Sequence, residues 1–228
     1  HRSEAEADSR YFAVAATPVE VRGGGGGGGG DGHGVAHLLA ASTSQAQVDL
    51  FLLAEDSAGN ARLAPLGRLA CTGGPLLCMA FHQHGGSGGG SGGGRATLLL
   101  GGGTTGELSV WDLQPLIASL DLSALPPWPM SAAKDGGCVP PTLEGLEWLS
   151  PICRVPQLHA MGLNALCLLP GSDGAGGAWG GGLPPAPDEE QGRLVLASGG
   201  DDQGVGLCIL TLSTHQLAVS DGPREEAA

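Results

Sequence analysis

The 228 residues include 43 glycines and 16 prolines, so the part of the chain able to pack is well short of its full length. A net charge of −13 with only ten Lys plus Arg argues against a surface that grips nucleic-acid phosphates, which needs clustered cations. Six cysteines without a Cys-x-x-Cys pair or dense framework fit a reduced, cytoplasmic setting, and no signal peptide or membrane segment is expected.

Residues 1–10 are charged and turn-like, and Tyr11 to Thr17 reads as a first strand bounded by Pro18. Residues 23–34 hold an unbroken glycine tract, expected to be a flexible insert. A phosphate-cradling loop would need a preceding strand and a following helix opened by Lys-Ser or Lys-Thr, and neither is present. His37 to Ser42 and Val48 to Leu53 form a strand pair around a turn at 43–47, with Phe51 near the end of the second strand. Arg62 to Ala70 and Pro75 to Gln83 read as two further strands, and residues 84–95 have linker composition.

Ala96 to Leu113 is the clearest hairpin: an apolar run, a turn of small residues, then an alternating strand closing on Trp111-Asp112. Leu116 to Leu122 reads as one helical turn. A Pro-rich insert at 123–154 includes Trp128 and Trp148. Val155 to Leu169 reads as strand, turn with His159, and strand. After a Gly/Pro insert at 171–192, Arg193 to Asp202 and Gly204 to Leu212 form a last hairpin. Residues 221–228 read as a disordered acidic tail.

The late positions Phe51, Trp111 and Cys208 lie 60 and 97 residues apart. Strands that close on Trp-Asp mark the blades of WD-type β-propellers, whose repeats run about 40–45 residues. The inserts supply the excess, and lengthening a loop between strands is cheap, about 0.6 kcal/mol per doubling. The expected fold is therefore all-β: three four-stranded blades of an incomplete WD40-type propeller, over about 10–53, 62–113 and 155–212. Three blades cannot close a ring and leave two unprotected ends. The chain begins at His1, and a longer protein of which it is a piece is expected.

His159, Ser198 and Asp202 stand where such a blade places a buried hydrogen-bond chain ending on a tryptophan indole. Here Cys208 occupies the indole position, one link short. The same three residue types could form a catalytic triad only around an open pocket with an oxyanion site. Trp111, Asp112 and Phe51 are read as structural positions, so no catalytic residue is assigned. His33 with His37, and His82 with His84, have metal-like spacing but no third ligand nearby. Neighbouring carboxylates at 201–202 point to opposite faces of a strand, and the pair at 189–190 lies in an insert. No cofactor, metal or small-molecule substrate is expected.

Four blocks in this order resemble the C-terminal blades of the WD-repeat-containing protein 6 family: Asp8-Ser-Arg-Tyr11; Leu38 to Ser44 with Val48 to Leu53; Leu98 to Leu113; and Leu158 to Leu166 with Leu196 to Asp202. The family usually has Asp-Gly in its hairpin turns, where this chain has Gln45-Ala46, Thr105-Gly106 and Asp202-Gln203. The resemblance implies a non-catalytic scaffold partnering a tRNA ribose 2′-O-methyltransferase that acts in the anticodon loop. It meets tRNA only through that complex. The alternative is a generic WD40 adaptor in signalling or ubiquitin-ligase assembly.

Overall fold

A computed structural model describes residues 10–22, 33–55, 61–84, 96–120, 149–169 and 192–212. The glycine tract, the linker after His84, Trp128, Trp148, Cys138, the 189–190 pair and the acidic tail lie outside them. The described chain is all-β apart from one short helix, and its strands run antiparallel in three sheets.

The first sheet is a meander of β1 (Tyr11–Arg22), β2 (His33–Thr43), β3 (Gln47–Glu55) and β4 (Ala61–Ala70). The second holds β5 (Leu76–His84), β6 (Ala96–Gly103), β7 (Leu108–Asp112) and β8 (Cys153–Val155). The third has three strands among the described residues, β9 (Leu163–Leu168), β10 (Gly192–Gly200) and β11 (Val205–Leu212). The opening strands β1, β5 and β9 lie side by side in that order, and the sheets do not close on themselves.

Four groupings differ from the sequence reading. Pro18 does not end β1, which continues to Arg22; β1 is an end strand of its sheet, where a missing N–H is tolerated. Arg62 to Ala70 belongs to the first sheet and not to the unit starting at 62, because β4 pairs with β3 from Gln47↔Ala70 to Glu55↔Ala61. Residues 153–155, assigned partly to an insert and partly to the third unit, form β8 and pair with Leu108 to Val110. The helix, α1 (Gln114–Ser119), starts two residues early, since Pro115 suits a first helical turn and Asp112 Oδ1 accepts the Gln114 N–H at 2.9 Å.

The three sheets repeat one backbone plan. Each central hairpin has the same register, closing on Ser42↔Val48, Gly102↔Leu108 and Gly199↔Val205. Each turn has one residue with positive φ at the same place: Ala46 (56°), Gly106 (76°) and Gln203 (59°). Each opening strand carries its register shift at the same point, beside Tyr11, Leu76 and Leu163. Each turn also donates one N–H to the residue before the opening strand: Ser44 to Arg10 (2.8 Å), Thr104 to Pro75 (3.1 Å) and Asp201 to Gly162 (2.9 Å).

Two apolar cores hold the sheets face to face. Leu38, Ala40, Val48, Leu50 and Leu52 of the first sheet pack with Leu76, Leu99 and Trp111 of the second. Leu98, Leu100, Leu108 and Val110, on the second sheet's other face, pack with Leu163, Leu194, Leu196 and Leu210 of the third. Buried Ser42 ties the first pair together: its Oγ donates to the Leu76 carbonyl (2.8 Å) and accepts the Leu76 N–H (3.1 Å). The side-chain amide of Gln83 donates to the Pro18 carbonyl between the same sheets.

The second turn also supports the loop before β9. The His159 N–H donates to the Gly106 carbonyl at 3.2 Å, and a Cβ on Gly106 would lie 2.1 Å from the His159 carbonyl oxygen. Gly106→Ala should therefore destabilise the protein by about 2 kcal/mol or more, from left-handed strain plus the backbone clash. Urea unfolding followed by circular dichroism measures this, and a loss below about 0.5 kcal/mol would contradict it.

Candidate functional site

Among the sequence-selected residues, the structure brings together His159, Ser198 and Asp202. His159 lies in the loop between β8 and β9, Ser198 on β10, and Asp202 in the β10–β11 turn. His159 Nδ1 is 3.0 Å from Asp202 Oδ1, and its Nε2 is 2.9 Å from Ser198 Oγ. Asp202 also accepts the Ala160 N–H on Oδ2 (2.9 Å) and the Gly204 N–H on Oδ1 (3.0 Å). The Asp202 carboxylate accepts from His159 Nδ1, and Nε2 pairs with the Ser198 hydroxyl, which donates to the Gly206 carbonyl.

The array runs from exposed Asp202 into the fold. His159 and Ser198 are each 4% exposed, which keeps a bulky substrate from either. Glycine flanks them: a Cβ on Gly200 would lie 2.5 Å from His159 Nδ1, and one on Gly206 would lie 2.7 Å from Ser198 Oγ. The Gly206 carbonyl, 3.4 Å from Ser198 Oγ, stands at the end of the chain. Ser198 bonds His159 Nε2 and the Gly206 carbonyl, so the array ties the β10–β11 turn to the loop before β9.

The three repeats divide the parts of this chain among them. Position for position, Ser198 matches Ala41 and Gly101, Asp202 matches Gln45 and Thr105, and Cys208 matches Phe51 and Trp111. The second sheet thus has the indole without its acceptor. Trp111 is 1% exposed, and its Nε1 has no hydrogen-bond partner. An orphaned buried donor of this kind costs about 1–3 kcal/mol. A serine at Gly101 would have to displace the Leu76 side chain, because a Cβ there would lie 2.4 Å from Leu76 Cδ1.

The first sheet carries its polar group one strand over. Asp49, paired with Ala41 on the neighbouring strand, is 8% exposed. It accepts from Arg68 Nε (2.8 Å) and from the Tyr11 hydroxyl (3.3 Å), a network not singled out in the sequence. Burial, with Asp49 alongside, raises the Tyr11 pKa. Glu107 plays a comparable part in the second sheet, binding Arg154 Nη2 through both oxygens (2.9 and 3.0 Å) and accepting from Ser109 Oγ (2.8 Å). The only signal for either pair was an acidic residue at a turn or strand end with an arginine far along the chain.

Asp112 is buried at the end of β7, and burial raises its carboxyl pKa while the Gln114 N–H pulls it back. Its task is to start α1. His37 lies on β2 and is exposed; His33 shares that strand four residues away, and His82 and His84 share β5. Among the described residues there is no group of three His, Cys, Asp or Glu side chains placed to hold a metal ion. The five described cysteines are free. Burial pushes the Cys71 and Cys78 thiols up to about 11, which leaves them protonated and weak as nucleophiles at neutral pH. No described helix is long and apolar enough to cross a membrane.

Comparison with protein-family models, with curated proteins and with solved structures found no match for this chain.

Asp202 supplies a pH signature. The Ala160 and Gly204 N–H groups, then His159, lower its pKa from 3.8 to about 2. A carboxylate depressed on folding stabilises the native state above its unfolded pKa, and that contribution is lost as pH falls toward the folded value. The melting temperature should therefore fall between about pH 4 and pH 2, and Asp202→Asn should flatten that part of the profile. An Asp202→Asn profile parallel to the wild type through this window would contradict the assignment.

Proposed function

We propose that this chain is a non-catalytic interaction scaffold built from three consecutive WD-type propeller repeats. The carrying observation is the threefold recurrence of one plan: the same hairpin register, the same positive-φ turn residue and the same turn-to-strand hydrogen bond. Repeats of this kind present loops and sheet edges as broad binding surfaces rather than pockets. The His159–Ser198–Asp202 array, with His159 and Ser198 buried, agrees with the reading, because its polar atoms bond one another within the fold.

On the resemblance of its four motif blocks, the scaffold serves a tRNA ribose 2′-O-methyltransferase acting in the anticodon loop. The methyl donor and catalytic residues then belong to the partner enzyme. The net charge of −13 fits a protein-facing role, since RNA phosphates repel an acidic surface. Tagged protein should co-purify with such a methyltransferase, and anticodon-loop 2′-O-methylation, read by mass spectrometry of tRNA, should fall in cells lacking the protein. Normal methylation together with recovery of signalling or ubiquitin-ligase subunits instead would overturn this reading in favour of the adaptor.

A further inference from the structure

The repeat places the same residues on equivalent faces, and at the two ends of the array these faces are uncovered. On the face that each sheet turns toward its successor, Val48, Leu50 and Leu52 of the first sheet match Leu108, Val110 and Asp112 of the second. The matching residues of the third sheet are Val205, Leu207 and Ile209. In the first two sheets every apolar member of this set is at most 1% exposed. In the third, the same positions are 82%, 73% and 57% exposed. Three β-branched or leucine side chains alternating along one strand face are thus left in water, where their equivalents are core.

The opposite face recurs as well. It is centred on a cross-strand pair, Leu99↔Trp111 in the second sheet and Leu196↔Cys208 in the third, and each pair packs on the sheet before it. In the first sheet the same pair is Leu39↔Phe51. It is only part-buried, next to exposed Val14 and Ala16, which lie opposite Ala41 and Leu39. The described chain therefore has one free face of each kind, at opposite ends, and the two internal sheet contacts already join one kind to the other.

We infer that the uncovered face of the third sheet, Val205, Leu207 and Ile209, binds the uncovered face of the first sheet, Val14, Leu39 and Phe51, of a second copy of this chain. The contact continues the packing that joins the first sheet to the second and the second to the third. It is heterologous, one patch meeting a different patch, so each complex still offers one free face of each kind at its ends and assembly proceeds head to tail. This inference does not rest on the scaffold reading; self-association can fail while the methyltransferase partnership stands, and the reverse.

Sedimentation of the 228-residue chain over a wide concentration range tests it. The wild type should move from 22.6 kDa toward multiples of that mass as concentration rises. Leu207→Glu and Val14→Glu, both at exposed positions, should each weaken self-association at least ten-fold without changing the far-UV circular dichroism. Val205→Glu and Ala16→Glu serve as replacements if either variant loses its β spectrum. An equimolar mixture of the two variants should form a dimer that grows no further, because it retains one intact pair of faces. A single 22.6 kDa species at every concentration, assembly indifferent to both substitutions, or a mixture without the dimer would overturn the proposal.

Discussion

None of the three described sheets has a core of its own. A single antiparallel sheet of three or four short strands buries little until a second covers it, so the stacking of one sheet on the next is the constraint on which the rest depends. Leu38, Ala40, Val48 and Leu50 are fully buried only because the second sheet brings Leu99 and Trp111 over them. Leu98, Leu100 and Leu108 are buried only because Leu194 and Leu196 cover the opposite side. The turns, bulges and buried serine are devices that keep those faces in register.

The polar side of the architecture is unevenly shared. The third sheet holds its turn with an aspartate, a histidine and a serine; the second keeps a tryptophan with nothing to bond; the first transfers its buried charge to Asp49 and Arg68. All three turns nonetheless reach the same backbone conformation, even where Ala46 or Gln203 must take the positive φ that glycine adopts freely. The backbone hydrogen bonds and the apolar faces therefore set the geometry, and different side chains reinforce it in each repeat: Thr43 and Ser44 in the first, Thr105 in the second, the His159–Ser198–Asp202 network in the third.

Much of this was legible in the sequence, and for identifiable reasons. Alternation and small-residue turns placed all three central hairpins, and the offsets of Phe51, Trp111 and Cys208 carried the repeat. The meeting of His159, Ser198 and Asp202 followed from their spacing. The three-residue strand β8 escaped because Cys153-Arg-Val155 is too short to show a period and is separated from its partner strand by a long insert. The length of β1 was missed because Pro18 reads as a terminator wherever sheet position is unknown. The sheet to which β4 belongs depends on pairing, which local pattern does not encode, and the ion pairs of Asp49 and Glu107 join residues 19 and 47 positions apart.

The central claim is that three sheets repeat one hydrogen-bonded plan. Amide hydrogen exchange, resolved by residue, addresses it most directly. The Ser44, Thr104 and Asp201 amides, each bonded to the carbonyl that precedes its sheet's opening strand, should all exchange far more slowly than free peptide. Exchange at the free-peptide rate at any one of the three, with the other two protected, would show that the plan is not repeated.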